Sequence, residues 1–103
     1  MRVAPLAKRT TDDVDAYALF LRARTLYQAR RDLDIVEELL AQAVEIDPDF
    51  AEAWAYRAPT QQLMYSYGYS ELPQQELNNL GLEFAERALS LDPNNATALA
   101  TVP

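Results

Sequence analysis

Apolar residues along this chain recur with the period of an α-helix. Ile35, Val36, Leu39, Leu40, Ala43 and Val44 step by one and three in alternation, which lays a wide stripe on one helix face. Leu77, Leu80, Gly81, Phe84, Ala85, Ala88 and Leu89 repeat that arrangement, and Ala16, Leu19, Phe20, Ala23, Leu26 and Tyr27 form an earlier stripe. Between them, Phe50 to Ala58 carries alanines 51, 55 and 58 on one side. The pattern predicts an all-α chain with helices near 13–30, 34–46, 50–67, 73–91 and 95–102. End signals agree. Asp34 with Glu37, and Asp49 with Glu52, have capping-box spacing, and Thr11 or Asp12 can cap the first helix. Pro48 and Pro93 stop helical stripes, Pro73 suits a first turn, and Pro59 predicts a kink or break inside the third helix.

The chain also resembles itself at an offset of 45. Ile35 falls on Leu80, Leu39 on Phe84, Ala43 on Ala88 and Ile46 on Leu91. Asp47-Pro48 falls on Asp92-Pro93, Ala53 on Ala98 and Trp54 on Leu99. Charged positions agree less, as expected where burial sets the pattern.

A helix pair ending in Asp-Pro and followed by Ala53-Trp54 resembles the tetratricopeptide repeat. Ala23, Val36, Leu40, Ala43 and Pro48 match the pattern in a first unit; Trp54, Ala58, Gly81, Ala85, Ala88 and Pro93 match it in a second. The resemblance implies antiparallel helix hairpins stacked as a short right-handed superhelix. It divides the chain into an N-terminal extension (1–12), a first repeat (13–48), a second (49–93) and the start of a third (94–103). Ala23 to Pro48 spans 25 residues and Ala58 to Pro93 spans 35, so the second repeat carries ten extra residues around Tyr65 to Pro73. The stretch Lys8 to Arg24 is similar to the linker and first repeat of bacterial signalling proteins in which a cyclase or transcriptional regulator domain precedes such repeats. That similarity implies a regulatory segment of a larger cytoplasmic protein.

Composition narrows the chemistry. Cysteine and histidine are absent and glycine occurs twice, so thiol catalysis, histidine general bases, thiolate or imidazole metal sites and glycine-rich phosphate loops are excluded. We expect no enzyme, no cofactor and no metal. Glu37, Glu38, Glu45, Glu52, Glu83 and Glu86 are read as solvated. Half of the residues are hydrophobic, but no apolar run approaches a membrane span, so no membrane contact is expected. The formal charge of −7 divides into +4 over 1–31 and −11 over 32–103; the acidic body argues against nucleic acid as a partner.

What remains is a docking surface for a protein or peptide. By the resemblance, first helices line a concave face, here drawing on Phe20, Arg24, Tyr27, Ala55, Tyr56 and Gln62. The basic-and-asparagine clamp for a partner's terminal carboxylate is not visible, since Lys8 is the only lysine and lies outside the repeats. Tyr65, Tyr67 and Tyr69 alternate, so the segment, if extended, places three phenols on one side, either as a contact surface or as a cover for the second pair. Ala96, Leu99, Ala100 and Val102 leave an apolar edge that is covered either by further chain in a larger parent protein or by self-association, and homo-oligomer contacts are expected there. Two other readings stay open: a small-molecule sensor with a pocket beside Pro59 and the tyrosine loop, and a structural spacer.

Overall fold

The computed structural model describes residues 11–102. Most of the expected N-terminal extension, Lys8 included, lies outside the described residues. Among the described residues the chain is all-α: α1 Val14–Ala29, α2 Leu33–Ile46, α3 Ala51–Ser66, α4 Gln74–Leu91 and α5 Ala96–Thr101. Each helix packs on the next across a short connection, and α3 also touches α1 and α5. The result is an elongated stack with extents of 47 × 27 × 22 Å, the α1–α2 pair at one end and α5 at the other.

The helix ends repeat in pairs. α1 and α3 both close on a left-handed residue, Arg30 (φ 55°) and Gly68 (φ 76°). In each, the next amide reaches back five residues: Arg31 N to the Leu26 carbonyl (3.0 Å) and Tyr69 N to the Met64 carbonyl (2.8 Å). This 6→1 bond, with its inner partner, satisfies carbonyls that the helix end would leave bare. α2 and α4 both close on Asp-Pro. Asp47 and Asp92 turn extended, and their Oδ1 atoms accept from the Asp49 and Asn94 amides at 3.1 and 3.2 Å. These side-chain turns steer the chain into α3 and α5.

Helix starts depart from expectation. Asp13, not Thr11 or Asp12, caps α1, its Oδ1 accepting from Ala16 N at 2.9 Å. Neither capping box forms. α2 starts one residue early, after Asp32 at φ 48°, so Asp34 sits inside the first turn. The residue before α3 is Phe50, whose burial against Phe20 (ring centroids 5.1 Å) fixes where the helix starts. Pro73 precedes α4 rather than opening its first turn. Pro59 does not break α3, which runs from Ala51 to Ser66 around it.

Two clusters hold the stack. The first packs Phe20, Leu33, Val36, Leu39, Leu40 and Phe50 between α1, α2 and the start of α3. Each large apolar side chain removed from water there contributes about 1.5–3 kcal/mol. The second consists of Ala55, Ala58, Ala85, Ala88 and Ala98, with Trp54 and Phe84 at its edge. Methyl groups alone let helix axes approach closely. Gly81 marks a close approach of α4 to α3: a Cβ there would stand 3.0 Å from the Ala58 carbonyl oxygen.

Candidate functional site

The first helices bring four expected residues together. Phe20 is 2% exposed and forms the floor. Its ring lies 5.5 Å from that of Tyr56, which meets Tyr27 edge-on at 5.2 Å. The Arg24 guanidinium sits 5.5 Å from the Phe20 ring centroid, and the Arg30 guanidinium 4.9 Å from that of Tyr27. Thus α1 and α3 present half-buried phenols beside two arginines. Burial pushes the Tyr27 phenol above its ordinary value, and Arg30 pulls it back. Burial raises Tyr56 as well, followed by the Glu52 carboxylate; Arg24 opposes and Tyr27 adds to the rise. Both phenols therefore stay protonated at neutral pH and can donate a hydrogen bond to an incoming acceptor.

Ala55 and Gln62 do not join this face. Ala55 is one residue from Tyr56, hence about 100° around the helix, and is buried in the alanine cluster against α4 and α5. Gln62 is exposed and lines a separate cavity of about 280 Å³ with Asn78, Leu82 and Thr101.

The tyrosine segment is not extended. Tyr65 sits in the last turn of α3, Tyr67 follows the helix, and Gly68 reverses the chain before Tyr69. The three are 44, 53 and 40% exposed, so they do not serve as a buried cover. At the far end, Ala96, Leu99 and Ala100 are exposed and Val102 is half-buried.

Two of the six glutamates read as solvated are engaged. Glu37 accepts from Arg57 Nε at 3.1 Å and from Gln61 Nε2 at 2.9 Å, while Glu52 accepts from Asn95 Nδ2 at 2.6 Å. The Arg57 guanidinium also lies 4.0 Å from the Phe84 ring centroid, so one side chain ties α2, α3 and α4 together. Sequence spacing carries no signal for this, because Glu37 and Arg57 are 20 residues apart on different helices. Glu38, Glu45, Glu83 and Glu86 are exposed.

One asymmetry between the repeats is chemical. Asp47 Oδ2 accepts a hydrogen bond from the Thr11 hydroxyl. Its counterpart, Asp92 Oδ2, is buried and has no partner among the described residues. Thr11 stands two residues before the α1 cap residue; the same place before α3 holds Pro48, which has no side-chain donor. The Pro48 carbonyl instead accepts from Trp54 Nε1 at 2.8 Å and Arg87 at 3.4 Å.

No helix among the described residues is long and apolar enough to cross a membrane. Compared with protein-family models and with curated proteins, the chain matches none.

Proposed function

We propose that this chain is a tetratricopeptide-like protein–protein interaction module, a non-catalytic regulatory or scaffolding segment of a larger bacterial signalling protein of the cytoplasm. It acts by surface complementarity: rigid first helices hold a face to which a protein or peptide segment docks. The observation that carries this reading is the convergence of Tyr27 and Tyr56 over buried Phe20, with Arg24 alongside, drawn from two separate helices. Aromatic and arginine side chains supply most of the energy at protein interfaces, because they offer large area and directed hydrogen bonds at low entropic cost. Support for the repeat comes from the paired helix ends and from small residues at the α3–α4 crossing.

The test is a binding titration of the 103-residue chain against an array of synthetic peptides, read by fluorescence anisotropy. Saturable binding that Tyr56→Ala and Arg24→Glu each weaken about tenfold or more, with unchanged circular dichroism, supports the reading. Binding that neither variant alters, or none at all, rejects it.

A further inference from the structure

The polar groups set around Phe20 are donors. Thr60 and Arg30 bond to the Tyr56 and Tyr27 main-chain carbonyls, and neither phenol hydroxyl has a hydrogen-bond partner among the described residues. The ion pair among the described residues is Arg57–Glu37, so the Arg24 guanidinium, set against the Phe20 ring, has no carboxylate partner there. A guanidinium can only donate, and a protonated phenol donates most strongly to a charged acceptor.

The nearby carboxylates are occupied or distant. Asp13 stands eleven residues before Arg24, about 16 Å along α1, and its Oδ1 caps the helix at Ala16 N. Asp15 and Asp32 line grooves that include Ala18 and Arg22, on another side of α1. The close one is Glu52, one turn before Tyr56 on α3. Besides burial, the charges acting on the Tyr56 phenol are those of Glu52 and Arg24. Glu52 is nevertheless engaged elsewhere. Asn95, 4% exposed, donates from Nδ2 to Glu52 Oε1 at 2.6 Å, while its Oδ1 accepts from the Ala98 amide at 2.9 Å. Asn95 thus ties Glu52 to the start of α5, and no Glu52–Arg24 ion pair forms.

We propose that the segment docking on this face is acidic: a side-chain carboxylate of the partner accepts from Arg24 and from the Tyr56 and Tyr27 hydroxyls, with an apolar neighbour laid on the rings. Asn95 is a positioning residue, holding Glu52 so that the chain's own carboxylate does not take the partner's place. This rests on the docking reading and adds the partner's chemistry to it. A phosphate dianion fits less well, because Glu52 beside Tyr56 repels two charges more than one. The net charge of −7 does not oppose a local match, since charges beyond about 8 Å are largely screened at physiological salt.

The test uses short, dye-labelled peptides with both termini blocked, in matched sets that differ in carrying Glu, Gln, Lys or phosphoserine beside a central leucine. Each is titrated into the 103-residue chain and followed by anisotropy. The Glu peptides should bind about tenfold tighter than the Gln and Lys ones, by a margin that shrinks in high salt. Arg24→Gln should abolish the preference and Tyr56→Phe should reduce it, with unchanged circular dichroism. Glu52→Gln keeps an acceptor for Asn95 but removes the competing charge. It should tighten the Glu peptides several-fold, a gain that loss of fold does not produce. Saturable binding that is equal across the sets, or that favours Lys, overturns this proposal and leaves the docking reading standing. Tighter binding of the phosphoserine peptides overturns the assignment to a carboxylate. Unchanged affinity in Glu52→Gln overturns the role given to Asn95. Failure of every peptide to bind rejects the docking reading itself, and this proposal with it.

Discussion

At the scale of single residues, Arg57 does the most joining. Its guanidinium is bonded to Glu37, stacked on Phe84 and placed near Trp54 at 5.3 Å. With side chains 14 and 21% exposed, the Arg57–Glu37 pair is shielded enough that removing one partner strands the other. Arg57→Ala should therefore lower stability by about 2–3 kcal/mol, read as a shift of the urea midpoint. Arg57→Lys should recover little, since an ammonium neither forks onto a carboxylate nor stacks on a ring. Tyr27 and Tyr56 give a pH prediction. Their folded values lie above those of the unfolded chain, so the unfolded state releases protons first as pH rises. The stability they contribute is complete below the ordinary tyrosine value of about 10 and falls as pH climbs through the folded values. Denaturation followed at rising alkaline pH should show that decline, and Tyr56→Phe should flatten it.

At the scale of elements, the two glycines separate two kinds of constraint. Gly68 has empty space around it but a backbone at φ 76°, so Gly68→Ala should cost about 1 kcal/mol. Gly68→Asn should cost less, because asparagine tolerates the left-handed region. Gly81 is an ordinary helical residue whose Cβ would meet the Ala58 carbonyl oxygen at 3.0 Å. Gly81→Ala should lose about 1–2 kcal/mol despite its better helix propensity, and Gly81→Asn more. Thermal melts of the four variants distinguish the cases. The existence and order of the helices were legible in the sequence because burial imposes a period, and the period extends over whole stripes. Starts were less legible. A capping box is a local signal, and at α3 the burial of Phe50 outweighs it, while at α2 Glu37 is drawn to Arg57 instead. The tyrosine segment divides: α3 runs to Ser66, close to the expected end at 67, and holds Tyr65, while Gly68 turns the chain back before Tyr69, so the one-sided alternation that an extended segment would give does not arise. Of the proposed docking face, Phe20, Arg24, Tyr27 and Tyr56 were legible as one group; Ala55 and Gln62 were not excluded, because sequence does not fix the rotation of α3 against α4.

At the scale of the whole molecule, stability is distributed along a line. In such a stack each unit is sheltered by its neighbours, so opening begins where neighbours are fewest. With six residues, α5 is the shortest of the described helices and has the least contact with the others, packing on α3 and α4. Amide exchange followed by mass spectrometry should find α5 the fastest to exchange and α3 the slowest; equal protection in both would contradict this linear order. The reason is that α3 contacts all four other helices, while neither α1 nor α2 contacts α4 or α5. The protein is thus a keystone arrangement rather than two interchangeable bricks. Severed within α3, both flanks would lose their shelter at once, and the duplication visible in the sequence does not make either half a protein in its own right.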